Sequence, residues 1–321
     1  MKSPIFIFSL PRSGSTLLQR VLASHEAIAS TAEPWIALPL IYMNRRHGSV
    51  AEYSSISAAT AINDFISCLP EKNSDYFREL SLFLFRLYSL HCTNDEKYFL
   101  DKTPRYHFVI DDLHKLFPEA KFIYLFRNPI NVHASMIKTW SSGRLNKMYR
   151  FYDDFTQGFG ALSRGFIRYR ERSYALNYED FVQDPSMHLS LVCEYLDIEY
   201  DVNMLTRFSD QMLVSTMGDP TGTKLYRKVE NNDPDAWKDV LNTGTKRRYM
   251  ANLLKRVDEE AFSVQGYDKE KLLAELYEPC PLVSSISVVD IFDIFVSDMI
   301  RGLNLKLIFG SDSYYLKRYL S

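Results

Sequence analysis

Short apolar runs with little internal alternation are separated along this chain by longer stretches whose apolar positions recur every three or four residues. Runs of the first kind lie at Pro4–Leu10 (PIFIFSL), Lys97–Leu100 (KYFL), Lys121–Phe126 (KFIYLF) and Ser173–Leu176 (SYAL). A strand apolar on both sides is one covered on both sides, so these runs predict the interior of a mainly parallel sheet. The second kind predicts helices over Ser15–Ser24, Asp75–His91, Phe108–Phe117, Pro129–Trp140, Tyr152–Arg172 and Pro185–Tyr195. In Asp75–His91 the apolar positions Phe77, Leu80, Leu84, Leu87 and Tyr88 share a helix face. A further short strand is expected just ahead of Glu33. Strands alternating with helices give the α/β class, with helical insertions between Pro34 and Glu96 and after residue 200.

Toward the end, Val283–Leu303 is rich in Ile, Val and Phe, but Asp290, Asp293 and Asp298 interrupt it, so it reads as an amphipathic helix rather than a membrane span. The chain reads as one domain over residues 1–321, with 282–321 as a C-terminal packing or dimerisation segment and a homodimer as one arrangement. Between Ser209 and Asn232, glycine and proline mark a loop carrying Lys224, Arg227 and Lys228. That loop is either a basic flap over an anionic ligand or a solvated surface segment.

Composition narrows the partners. With 321 residues and 46% hydrophobic content the chain is long enough for a full core and excludes disorder for its bulk. Thirty-eight basic against forty acidic residues leave a net charge of -2, so no global field favours nucleic acid and any anion site is local. Cys68, Cys92, Cys193 and Cys280 lie far apart without a CxxC pair, which reads as four buried thiols in a reducing compartment. The first apolar run stops at Pro11-Arg12, too short for a signal region or a span, so a cytoplasmic protein with no transmembrane segment is expected. His107, Asp111 and His114 fall at zinc-compatible spacing on one helix face, but a half-buried face explains them more simply.

The chemistry begins where the first strand ends. PIFIFSLPRSGSTLLQRVL reads as a strand, the loop PRSGST, and a helix opening at Ser15. This order aims backbone N–H groups and the positive end of a helix at one point, an anion site, and Gly14 admits close backbone approach. On the frame GxxxxGK[ST] the segment places Ser15 where lysine is required, followed by Thr16. With that lysine missing and no strand ending in a metal-binding aspartate downstream, magnesium-dependent ATP cleavage is disfavoured. A P-loop kinase, or a nucleotide-binding module without group transfer, stays as the alternative. A second anion site is expected at KFIYLFRNPINVHASM, where Arg127 closes a strand, Asn128 caps a helix with Pro129 in its first turn, and Ser135 lies two turns on. An arginine fork at the carboxyl edge of a sheet suits phosphate, although the same turn is also a capped helix with a surface arginine.

PIFIFSLPRSGSTLL resembles the 5'-phosphosulfate loop of sulfotransferases that use 3'-phosphoadenosine 5'-phosphosulfate, in the branch carrying PRSGT that includes tyrosylprotein and bacterial sulfotransferases. Arg127 and Ser135 are similar to that family's 3'-phosphate motif, and ALNYEDFVQDP to its YEDL-x3-P segment. The resemblance implies a P-loop-type, mainly parallel sheet flanked by helices. It implies Arg12, Ser13, Gly14, Ser15, Thr16 and Leu17 on the 5'-phosphosulfate and Arg127 with Ser135 on the 3'-phosphate. Tyr178 would lie near the adenosine, its other reading being a core tyrosine. RKVENNDPDAW resembles the closing loop RKG-x2-G-x-WK without its glycines, and brings Lys228, with Arg227 and Trp237, toward the donor. Glu33 in ASTAEPW takes the place of the catalytic glutamate, or else serves a helix N-terminus. Lys102 in DKTPRYH would join Arg12 in neutralising the leaving phosphate, or else pair with Asp101. The implied product is adenosine 3',5'-bisphosphate, with no metal required. The acceptor is a hydroxyl of open class: small molecule, sugar, lipid, peptide or carrier-bound group.

Overall fold

Five strands, β1 (Ser3–Ser9), β2 (Ile28–Ser30), β3 (Tyr98–Asp101), β4 (Lys121–Phe126) and β5 (Ser173–Asn177), hydrogen-bond in the order β2-β3-β1-β4-β5. Every neighbouring pair is parallel, as unalternating apolar runs require. Parallel neighbours need crossovers rather than hairpins. Those crossovers are α1 (Ser15–Ala23), then α2 (Ala37–Tyr42), α3 (Ser55–Ser67) and α4 (Asn73–His91) between β2 and β3, then α5 (Ile110–Leu116) between β3 and β4. α6 (Pro129–Ser141), α7 (Tyr152–Thr156) and α8 (Gly158–Arg168) lead to β5. After it come α9 (Tyr178–Gln183), α10 (Pro185–Leu196), α11 (Met204–Arg207), α12 (Trp237–Val240), α13 (Gly244–Lys255), α14 (Glu259–Val264), α15 (Lys269–Tyr277) and α16 (Val288–Gly302). The computed structural model describes residues 3–46, 54–210, 213, 228–229, 233–277 and 286–303. No helix among them is long and apolar enough to cross a membrane.

The chain divides into two units. The first, Met1–Ser9 with Gly14–Phe126 and Arg168–Glu230, holds the whole sheet. Alternation along β1 sends Ile5 and Ile7 into a core with Leu17, Leu18, Val21 and Leu22 of α1, Ile123 and Leu125 of β4, and Phe181 and Leu189. Phe6 and Phe8 point the other way and each stacks on Phe122 at 5.7 Å between ring centroids. The three residues at zinc-compatible spacing are taken up by this layer. His114 stacks on Phe122 at 3.6 Å and on Tyr169 at 3.8 Å, Asp111 accepts from Arg168 and the Tyr169 hydroxyl, and His107 is buried.

The second unit, Leu10–Ser13 with Arg127–Ile167 and Asn231–Ser321, is helical. One helix expected over Tyr152–Arg172 is broken instead into α7, α8 and a 3-10 turn at Arg170–Arg172, with the breaks at Gln157, next to Gly158, and at Tyr169. Cys68 likewise departs from expectation. It caps α3, which buries only Ala59 and Ile66, and it is exposed, whereas Cys92 and Cys193 are buried. Cys280 lies outside the described residues, as do Lys224 and Arg227. α16 forms within the expected C-terminal segment but packs by its polar side. Asp293 accepts from Arg144 and from the Leu145 N–H, and Asp290 accepts from Thr243, while Val288, Phe292 and Phe295 stay exposed.

His133 of α6 is fully buried against Phe155 and Tyr249, and neither ring nitrogen has a hydrogen-bond partner among the described residues. Desolvation holds its imidazole down to about 3. The unfolded chain therefore binds this proton near pH 6.5 while the folded one refuses it, so stability is lost as pH falls from about 6.5 toward 3. We expect His133→Phe, which keeps the packing and removes the titration, to lose about 2 kcal/mol less stability than the parent between pH 7 and pH 5, read from urea unfolding at both pH values.

Candidate active site

The loop after β1 turns tightly into α1. The Ser13 N–H closes a turn on the Leu10 carbonyl at 3.3 Å, and both Arg12 (φ 70°) and Gly14 (φ 87°) take the left-handed conformation that turns successive N–H groups inward. Gly14 has no alternative. A Cβ on it would stand 2.4 Å from the ring of Tyr178, and α1 begins at the next residue. Tyr178 is thus a core tyrosine whose ring lies directly against Gly14. Leu17 is buried among the core side chains, which leaves only its backbone for a phosphate.

Within the first unit, the pairing of Ser30 with Leu100 brings the end of β2 beside the end of β3, so Glu33 and Lys102 follow from adjacent strands. Lys102 Nζ donates to Glu33 Oε1 at 2.7 Å and to Thr16 Oγ1 of the phosphate loop at 3.2 Å. The lysine side chain is 2% exposed and the glutamate 11%. The ion partner of Lys102 is therefore Glu33 and not Asp101. Nor does Glu33 serve a helix N-terminus, since α2 starts at Ala37 with no acidic residue in its first turn. Asp101 is wholly buried and accepts from the hydroxyls of Tyr88 (2.6 Å), Tyr106 (2.7 Å) and Thr103 (3.1 Å). Burial outweighs these bonds and pushes its carboxyl up to about 6.

In the second unit, Arg12 Nε donates to Ser135 Oγ at 3.2 Å, and Arg127 Nη1 donates to the Arg12 carbonyl at 2.8 Å. Asn128 accepts from the N–H groups of Ile130 and Asn131 and so caps α6, with Pro129 in the first turn, as its sequence requires. Arg12, Arg127 and Ser135 form one cationic, hydroxyl-bearing cluster.

The family model described as Sulfotransferase family matches residues 4–202 of this chain. The chain belongs to the sulfotransferase family. Nodulation protein NoeE of Sinorhizobium fredii is 35% identical over 139 residues, 42% of this chain and 31% of that protein. An uncharacterised protein of Aquifex aeolicus is 21% identical over 221 residues, 67% of this chain and 28% of that one. The chain thus spans under a third of the curated relatives it matches. Among solved structures, the sulfotransferase domain of the Synechococcus PCC 7002 olefin synthase is similar at 22% identity, covering 74% of this chain and 88% of that one, with a TM-score of 0.49. The sulfotransferase domain from the curacin biosynthetic pathway is similar at 23% identity, covering 79% and 98%, with a TM-score of 0.47.

As a member of this family, the chain carries an all-parallel five-stranded α/β sheet with the loop PRSGST leading from β1 into α1. The late basic assignments separate. Lys228 is exposed, whereas Trp237 is buried with the Arg247 guanidinium 5.2 Å over its ring. Sequence reasoning passed over Gln19, whose side-chain amide lies 2.9 Å from the Ser30 hydroxyl and 2.7 and 3.1 Å from the carbonyls of Thr31 and Ala32. It ties α1 to the segment that leads into Glu33. The one signal in the sequence was a polar side chain within the apolar stretch STLLQRVLA, every residue of which the fold buries.

Because the folded carboxyl of Asp101 titrates near 6 and the unfolded one near 3.8, this residue favours the folded state below about pH 4, and that contribution is lost as pH rises through 6. We expect the stability gap between the parent and Asp101→Asn to widen by up to about 3 kcal/mol on going from pH 7 to pH 4, measured by denaturant unfolding.

Proposed function

We propose that this chain transfers the sulfuryl group of 3'-phosphoadenosine 5'-phosphosulfate to an acceptor hydroxyl, with Glu33 removing the proton. The observation that carries the reading is Lys102, which bonds at once to Glu33 and to Thr16 of the phosphate loop. One buried cation thereby sets a carboxylate beside the place where the loop would hold a phosphosulfate. The acceptor oxygen attacks sulfur in line. The bond between sulfur and the bridging oxygen breaks, its electron pair passes to the 5'-phosphate, and the acceptor proton passes to Glu33.

An ammonium has three N–H donors and Lys102 uses two, so the third serves the charge growing on the bridging oxygen. Loop N–H groups from Ser13 to Leu17 and the hydroxyls of Ser15 and Thr16 hold the 5' end. Arg127 and Ser135 suit the 3'-phosphate, since a forked guanidinium matches phosphate oxygens, while Arg12 belongs with the loop on the 5'-phosphosulfate. Tyr178 against Gly14 supplies a ring beside the loop, and the exposed Lys228 a charge for the donor. No step calls for a metal, and the free thiols Cys68, Cys92 and Cys193 suit a cytoplasmic setting.

Calorimetric titration tests the donor. Adenosine 3',5'-bisphosphate should bind at least about tenfold more tightly than ADP or ATP, with or without magnesium, and Arg127→Ala should weaken it about tenfold or more. Preference for ATP with magnesium would return the loop to a kinase-type site. Glu33→Gln should lower turnover of the phosphosulfate donor by roughly 10² to 10⁴, with bisphosphate affinity held within about twofold. Donor consumption is followed with 4-nitrophenol, a hexose and a long-chain alcohol as trial acceptors, and unchanged turnover would remove Glu33 from the reaction.

A further inference from the structure

Trp35 stands two residues beyond Glu33 in a conformation that its side chain disfavours. Its φ is 56°, and a bulky residue in the left-handed region persists only where surrounding bonds hold it. Those bonds can be traced inward. The Trp35 backbone N–H donates to Thr103 Oγ1 at 3.2 Å, and the Thr103 hydroxyl donates to Asp101 Oδ1 at 3.1 Å. Asp101 Oδ2 accepts from Tyr88 and Tyr106, both buried with it in the core. At the outer end of the same chain the Trp35 indole Nε1 donates to Glu33 Oε2 at 3.2 Å.

We infer that Trp35 is a positioning residue whose indole N–H fixes the plane of the Glu33 carboxylate for proton removal, an inference that rests on Glu33 being the base. Lys102 occupies one carboxylate oxygen and Trp35 the other. The terminal torsion of a glutamate is otherwise broad and twofold, so two donors on opposite oxygens restrict it to one setting. An indole N–H suits this task because it donates and has no lone pair to accept a proton. A hydroxyl or a water in its place could accept the acceptor's hydrogen bond and draw it away from the carboxylate. The strained backbone at Trp35 is what turns the ring back toward Glu33, and the Thr103–Asp101 chain is what sustains it. Holding a base in one orientation acts on the chemical step and leaves donor affinity alone.

The contact is tested by 15N-labelled indole spectra. The chain has three tryptophans, so Trp35→Phe deletes and thereby assigns one of three signals. Glu33→Gln and Thr103→Val should each shift that signal and leave the other two in place, and Thr103→Ser should restore it. A Trp35 signal that ignores Glu33→Gln overturns the inference. In turnover of the phosphosulfate donor, Trp35→Phe should lower kcat roughly tenfold, with the donor KM and bisphosphate affinity within about twofold. Combined with Glu33→Gln it should have no further effect. If Trp35→Phe fails to fold, Thr103→Val, with the indole in place, gives the same reading and Thr103→Ser its rescue. Loss of activity in Glu33→Gln with none in Trp35→Phe, or equal loss by Trp35→Phe in both backgrounds, sinks the positioning role and spares the base. Full activity in Glu33→Gln sinks the base itself.

Discussion

Lys102 carries a positive charge to a position where almost none of its side chain meets water. An ammonium there without a partner would cost several kcal/mol, and the partner it has, Glu33, is itself nearly buried. Neither group could be placed there alone. The parallel pairing of β2 with β3 delivers both from adjacent strand ends, and Gln19 pins the connecting backbone to α1. The same ammonium reaches Thr16, so the phosphate loop, the carboxylate and the cation are bound into one arrangement by a single charge.

Behind that pair lies a second polar layer in the core. Asp101 gathers three hydroxyls and passes order outward through Thr103 to the backbone of Trp35. A fully satisfied buried network of this kind specifies one geometry, whereas an apolar core of the same volume tolerates several. Desolvation leaves Asp101 with a carboxyl titrating near 6, the cost of holding an anion where water is absent. The buried imidazoles of His114 and His133, both held down to about 3, show the opposite response of a cation-forming group to the same desolvation.

Much of the scaffold was legible in the chain because it depends on local rules. Apolar runs without alternation marked the parallel strands, and Asn128-Pro129 marked the start of α6. The loop PRSGST was readable as a tight turn into a helix through one glycine and the helix that follows. Departures have local reasons too. The helix expected over Tyr152–Arg172 breaks at Gln157, where Gly158 follows, and Cys68 is exposed because α3 offers little buried surface. α16 was readable as amphipathic, but its orientation was not, since Asp293 turns inward to meet Arg144, 149 positions away, and the Leu145 N–H.

By itself the sequence determined the strands, the capped helices, the phosphate loop and the identities of Glu33, Lys102, Arg127 and Ser135 as candidates. Periodicity, capping and loop chemistry act over a few residues and are written in order along the chain. Only the tertiary structure decided which candidates meet. Lys102 pairs with Glu33 rather than its neighbour Asp101, Arg12 finds Ser135, and Gln19 and Trp35 acquire a task. Such pairings cross gaps of up to 123 positions, and they are set by strand register and by the need to satisfy buried charge, quantities that no local stretch of sequence contains.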